Sequence, residues 1–301
     1  MFVVKYRKIW FAFSALLLVA SFWAMFTYGF RLSIDFKGGT LTEVHYTGTV
    51  PAKEEVETWV ATRNYGGYSV RSTGADGYVI RTKELNQEEK NLLSAALTPP
   101  TFAGSIERQN TIGPIAGAEL QNKAGKAIFV VVLMIVLFVT FAFRKVSKPV
   151  ASWKYGLATI IALAHDVIIP TGIFVFLGHT LGIEIDLLFV TGLLAILGYS
   201  VHDTIVVFDR VRENLSLTNN IRTKEEFEAV VGKSVSQTFA RSINTSLTIF
   251  ITLLALFIYG SSATATFSLL LIVGLIAGTY SSIFVASPLL VTFVSFQKSS
   301  K

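Results

Sequence analysis

Six apolar blocks decide what this chain can fold into. They run at about residues 9–30, 127–143, 157–177, 187–208, 243–259 and 267–295, and each supplies most of the ~20 residues that a membrane-spanning helix needs. In hydrocarbon every backbone N–H and C=O must be paired internally, so blocks of this length fold as helices. The fifth is the weakest, because "SINTSLT" makes its first turns polar. Six spans follow, with one stretch, residues 31–126, that reads as an ordinary water-soluble domain.

The first block follows the basic start "MFVVKYRK". A secretory signal has an apolar region of only about 7–15 residues and a small-residue cleavage site. This block is longer and ends in the bulky "FWAMFTYGF", so it reads as an uncleaved anchor. Lys5, Arg7 and Lys8 precede it. Arg144, Lys145, Lys148 and Lys154 fill the connection after the second span, and Lys298 and Lys301 close the sequence. The loops 178–186 and 260–266 hold no Lys or Arg. By the positive-inside rule both termini are cytoplasmic and residues 31–126 lie outside. The net charge of +6 is therefore a topology signal, which argues against nucleic acid as a partner. With no cysteine, disulfides, thiol chemistry and thiolate metal sites are excluded.

Within residues 31–126, "GTLTEVHYT" is strand-like and "PAKEEVETWVATR" is helical, with proline and acids at its start. "YSVRST" and "GYVIRT" form two strands about the turn "GADG". "NQEEKNLLSAAL" is a helix capped by Asn86 and ended by Pro99 and Pro100, and "SIERQNTI" is a last strand. The order βαββαβ is that of a ferredoxin-like α+β domain. It holds no evident cluster of metal ligands; His45 reads as a lone structural histidine. Gly38 and Gly39 in "SIDFKGGT" suit a tight backbone turn where the chain leaves the membrane.

Polar residues inside the spans are costly and mark function by default, at about 2.5–3.5 kcal/mol for a charge at the bilayer centre. His165 and Asp166 sit near the middle of the third span, His202 and Asp203 in the fourth, and Arg241 opens the fifth ahead of Ser242, Asn244, Thr245, Ser246 and Thr248. At 1.5 Å per residue, Asp203 lies about 24 Å in from residue 187 and Arg241 about 28 Å in from residue 260. Their shared depth allows an encounter. Arg241 equally fits a snorkelling flank, Asp203 a helix-end residue, and Asp166 a mend for backbone freed beside Pro170 and Gly172. Gly192, Ala195, Gly198 and His202 fall at three- or four-residue intervals, and Gly274 and Gly278 form a GxxxG. Both patterns permit close helix packing, within the chain or against a partner.

Five motifs together resemble the SecD/SecF family of the bacterial Sec protein-translocation machinery, part of the resistance–nodulation–division superfamily. They are "SIDFKGGT", "TIGPIAGAELQNKA", "ALAHDV", "GYSVHDTIVVFDRVREN" and "RSINTSLT", in order along nearly the whole sequence. The resemblance implies residence in the bacterial cytoplasmic (inner) membrane and a partner, SecD, with a similar six-span body. It also implies work beside the SecYEG channel and its accessory subunits on a translocating, unfolded polypeptide. The energy source implied is the proton-motive force, with no cofactor. Asp203 and Arg241 match family positions associated with proton passage; at the position of His202 the family usually carries Asn. A carboxyl poised between burial and a nearby guanidinium can exchange protons as water access changes.

Three other classes fit less of the sequence. An intramembrane enzyme needs a metal set or a nucleophile–base pair, whereas adjacent His–Asp residues on a helix point about 100° apart and no HExxH is present. A small-molecule exporter of the same superfamily usually has two six-span halves. A structural scaffold would use the polar residues only as packing glue.

Overall fold

The computed structural model describes residues 2–63, 65, 67–144, 151–218 and 223–294. Lys145, Lys148, Lys298 and Lys301, used above to orient the chain, and the last residue of the sixth block lie outside them. The chain divides into two units. The first comprises residues 1–30, 127–183 and 188–301, and the second residues 31–126 and 184–187.

In chain order the helices are α1 (Phe2–Lys5), α2 (Arg7–Tyr28), α3 (Ile34–Lys37), α4 (Lys53–Ala61), α5 (Gln87–Leu97), α6 (Pro114–Ala142), α7 (Ser152–Leu181), α8 (Leu187–Leu217), α9 (Lys224–Tyr259) and α10 (Ser262–Ser281). A π-helical turn, Ser282–Ala286, then leads into α11 (Ser287–Val294). The strands are β1 (Gly39–Tyr46), β2 (Ser69–Thr73), β3 (Gly77–Thr82) and β4 (Gly104–Ile112).

Among the described residues six helices are long and apolar enough to span a bilayer: α2, α6, α7, α8, α9 and the run Ala263–Val294. The chain is a multi-pass membrane protein. Leu16, Val19, Trp23 and Phe26 on α2 and Leu247, Ile251 and Ile258 on α9 are exposed, as side chains facing lipid should be. Several helices outrun their apolar blocks, two of them by more than a dozen residues at the start. The helix containing block 127–143 begins at Pro114 and that containing 243–259 begins at Lys224. Good helix formers such as Glu119, Gln121 and Lys123 carry the first onwards, with Lys123 pairing to Glu119 at 2.7 Å. A capping box between Thr223 and Glu226 starts the second.

The interior of the membrane unit is built on close packing. Phe143 stacks on Tyr155 with ring centroids 5.1 Å apart, and Phe208 meets both edge-on. The GxxxG pair is used inside the chain: a Cβ on Gly274 would run into Ile196, and one on Gly278 would stand 3.0 Å from the Ser200 Cβ. The glycine at 192 likewise leaves room for Leu270 and Phe267.

The second unit has the ferredoxin-like βαββαβ order, in an antiparallel sheet ordered β2-β3-β1-β4. Val44, Ile80, Val56, Val60, Leu93 and Leu97 close its core. Asn86 and Glu89 form the capping box of α5. The two glycines at the start of β1 have positive φ, 78° at Gly38 and 128° at Gly39. A Cβ on the first would stand 2.8 Å from the Pro114 backbone, and one on the second 2.6 Å from the Thr82 carbonyl. The turn and a close backbone approach both require them.

Candidate functional site

The apolar face of α8 delivers Asp203 into the membrane unit, where it is 6% exposed. Ser242 Oγ of α9 donates to Asp203 Oδ1 at 2.6 Å. Oδ2 is buried with no hydrogen-bond partner among the described residues. A buried acceptor left unsatisfied costs about 1–3 kcal/mol, more when charged; the Ser282 hydroxyl also acts on this carboxyl. Further hydroxyls bond one another along the same helices. Thr204 Oγ1 and Ser282 Oγ are 2.8 Å apart. Ser246 Oγ bonds Tyr199 Oη at 2.6 Å and Thr279 Oγ1 at 2.7 Å, and donates to the Ser242 carbonyl at 2.8 Å. The helices α8, α9 and α10 are thereby stitched by side chains that carry no charge.

Arg241 and Ser242 are neighbours on α9 and point about 100° apart. Ser242 turns inward; Arg241 is exposed. Asp203 and Arg241 therefore share no ion pair inside this chain, and among the described residues the guanidinium has none at all. His202 is exposed for the same reason beside buried Asp203. Ala195, Gly198 and His202 on α8 and Arg241, Asn244, Thr245 and Thr248 on α9 are all exposed. A Cβ on Gly198 would meet nothing within 4 Å. Hydrocarbon is a poor solvent for such polar residues.

His165 and Asp166 are deeper. Asp166 is 0% exposed. Its Oδ1 lies 2.9 Å from His165 Nδ1, and its Oδ2 accepts hydrogen bonds from Ser281 Oγ at 2.7 Å and from Ser200 Oγ. The histidine ring stacks on Tyr280 with centroids 5.7 Å apart, and Tyr280 Oη donates to the Trp10 carbonyl at 2.9 Å. His165 Nε2 is buried and unpartnered among the described residues. Sequence reading named Asp166 and His165 but missed Ser200, Ser281, Ser282, Tyr199 and Thr279. The usable signal was Ser200 and Asp203, one helical turn apart, and the doublet Ser281–Ser282 in an otherwise apolar span.

In the second unit His45 is not alone, which corrects the reading of it as a lone histidine. It lies 3.8 Å from Glu43, 3.4 Å from Asp76 and 3.7 Å from Glu107. A bulge in the β1–β4 ladder between Glu43 and Val44 brings Glu107 to the same face. Ligand atoms of Glu43, His45 and Glu107 fall within 4.8 Å of one another, close enough to hold one small cation. The same distances suit an imidazolium among carboxylates, and Glu107 is exposed. Elsewhere in this unit, Arg81 Nε pairs with Glu184 at 2.8 Å and Arg71 approaches it at 3.7 Å. Burial pushes the Glu184 carboxyl up, and the surrounding Arg81, Arg71, Lys37 and Arg31 pull it back.

Two family models match the chain. The model described as protein export membrane protein SecD/SecF, C-terminal, matches residues 94–295, and the SecD/SecF GG motif matches residues 23–50. The protein translocase subunit SecF of Thermobaculum terrenum is 40% identical over 305 residues, covering 97% of this chain and 93% of that protein. Its counterpart in Anaerolinea thermophila is 35% identical, covering 96% and 92%. Among solved structures, SecDF from Thermus thermophilus, a translocon-associated membrane protein, superposes with a TM-score of 0.81 at 32% identity over 96% of this chain. A SecDF structure in a super-membrane-facing form gives 0.64 at 30% identity. The chain spans 38% of the SecDF chain.

Proposed function

Because the chain belongs to the SecD/SecF family of protein export membrane proteins, we propose that it is the SecF-type subunit of the Sec export machinery. In this reading it works with SecD and beside SecYEG, and it uses the proton-motive force to promote movement of unfolded polypeptides across the bacterial cytoplasmic membrane. The proton-carrying group is Asp203, with Arg241 as its charge partner in another conformation or across the subunit interface.

One observation carries the reading. Asp203 is buried in a membrane span with one oxygen held by Ser242 and the other without a close hydrogen bond among the described residues. A scaffold would have no use for such a group, whose neutral isostere is cheaper to bury. A carboxyl that alternates between charged and neutral needs that open valence. One charge crossing the membrane field gains about 2.3 kcal/mol per 100 mV, enough to bias a two-state motion. The exposed polar face around His202 and Arg241 supports a paired assembly, since in the membrane it needs a covering helix.

The test is Asp203→Asn, which removes the titratable proton while nearly preserving shape. The complex should assemble, and secretion into membrane vesicles should lose its response to an imposed proton gradient. Full gradient-dependent secretion in that variant would reject Asp203 as the carrier.

A further inference from the structure

Asp203 is not the most enclosed carboxyl of the membrane unit. Asp166 is, and its contacts reach three helices. It sits on α7, accepts a hydroxyl from Ser200 on α8 and another from Ser281 on α10, and takes its neighbour His165 on the remaining oxygen. We propose that the Asp166–His165 pair is a second proton-binding site, and that its protonation state sets how tightly α7, α8 and α10 are clasped. The purpose of the site rests on the proton-coupled reading above; its geometry does not.

Hydrogen-bond capacity ties the clasp to the proton. An ionised carboxylate is acceptor-only and can hold both hydroxyls and a His165 N–H together. Charge-assisted bonds of this kind are about twice as strong as neutral ones. Adding one proton to Asp166, taken from water that reaches the bundle, turns one oxygen into a donor. That oxygen then faces either the two serine donors or His165 Nδ1, so one serine must reverse or release its hydroxyl, or the imidazole must change tautomer. Returning the proton to water restores the clasp. Ser281 already has somewhere to go: its hydroxyl also lies 3.1 Å from the Gly278 carbonyl.

The surroundings suit a joint that moves. The π-helical turn Ser282–Ala286 begins one residue after Ser281, and π turns inside helices cluster at functional sites. Ser200 is one turn from Asp203 on α8, a rise of about 4.5 Å, so a shift of α8 at one carboxyl is felt at the other. Tyr280 from α10 stacks on His165, Asp203 lies one turn from Ser200 along α8, and Arg241 is exposed. No Lys or Arg pairs with Asp166 among the described residues.

The experiment uses the full chain with its membrane partner, reconstituted in lipid and labelled with isotopic aspartate. Infrared difference spectra between high and low pH report the carbonyl band of a protonated aspartic acid. Over the background of Asp35, Asp76, Asp186 and Asp209, Asp166→Asn should remove one component of the band, Asp203→Asn a different one, and the double variant both. A spectrum unchanged by Asp166→Asn that loses a component in Asp203→Asn overturns this proposal and leaves the Asp203 reading standing. A component lost in Asp166→Asn with none lost in Asp203→Asn supports the second site and counts against Asp203. If Asp166→Asn fails to assemble, Ser200→Ala with Ser281→Ala keeps the carboxyl and removes two donors. The band must then change frequency; an unchanged band overturns the proposal. The clasp itself is read by spin labels at Leu188 and Ile276, both exposed, placed as cysteines in a chain that has none alongside a cysteine-free partner. Their distance should change with pH in the Asp203→Asn background and stop changing when Asp166→Asn is added; a distance insensitive to Asp166 sinks the clasp.

Discussion

Ser242 Oγ and Asp203 Oδ1 stand 2.6 Å apart, so the neighbour of Arg241 grips the carboxyl that Arg241 itself does not touch. The inward serine and outward arginine follow from the 100° step of a helix. They set α8 and α9 at one register and leave the guanidinium free for a different conformation or a different subunit.

Removing that hydroxyl is the first test. Ser242→Ala should cost about 1.5–3 kcal/mol if Asp203 is charged, the range for a hydrogen bond to an ion. Thermal unfolding in detergent should report the loss, and gradient-driven secretion should fall with it. Ser242→Thr keeps the hydroxyl and should recover most of both. An alanine variant equal to the original in stability and secretion would mean that the bond is idle.

Two glycines separate internal packing from assembly. Gly274→Leu forces a side chain into Ile196, and overpacking of this kind costs about 1–3 kcal/mol. It should lower the stability of the chain on its own. Gly198→Leu meets nothing within 4 Å in this chain and should leave that stability unchanged. It should instead reduce the amount of SecD that co-purifies. Normal SecD recovery with Gly198→Leu would place the partner on another face.

The external unit makes its own prediction. Residues 31–126, excised, should fold without lipid and show helix and strand by circular dichroism. They should be less stable than within the whole chain, because Glu184 no longer meets Arg81 and Arg71. Burial pushes the Tyr46 hydroxyl from 10.0 up to about 12, and that hydroxyl donates to the Leu97 carbonyl at 2.8 Å. The folded state then keeps a proton that the unfolded chain loses first. The contribution of Tyr46 to stability should be constant below pH 10 and be lost as pH rises from 10 towards 12. Tyr46→Phe should reduce that slope at a cost of about 1 kcal/mol for the lost hydrogen bond. Denaturant unfolding on either side of pH 10 measures both, and an undiminished slope in Tyr46→Phe would assign it elsewhere.

Spans, domain order and the buried aspartates were legible because each rests on local pattern: apolar runs for α2 and α7, alternation for β1, a charge in an apolar run for Asp203. The contacts were not. Whether Asp203 meets Arg241 or Ser242 depends on the rotation of α9, which depth alone does not give. Ser281 and Ser282 read as ordinary small residues until α10 is packed against α8. His45 gained Glu107 through a β-bulge, a register event with no signature in composition, whereas Glu43, two residues away on the same strand face, was there to be read. Glu184 lies in the loop between two spans, so only folding brings it to β3.

Arg241 separates the two readings left open by depth. A snorkelling arginine needs only length and charge, and lysine supplies both. A guanidinium that must meet a carboxyl in fixed geometry is not replaced by a flexible ammonium. Arg241→Lys should therefore leave the chain folded, since the side chain is exposed and has no ion pair among the described residues, yet lower gradient-driven secretion by about tenfold or more, a barrier change of about 1.4 kcal/mol. His202→Asn, which restores the residue usual in the family, should be tolerated, because His202 is exposed and Asn keeps hydrogen-bonding capacity without a charge. If His202 instead carries protons here, that variant should lose activity alongside Asp203→Asn. The measurement is secretion into inverted vesicles with and without an imposed gradient, normalised to the amount of assembled complex. Full activity in Arg241→Lys would make Arg241 a boundary marker and leave Asp203 to work without it.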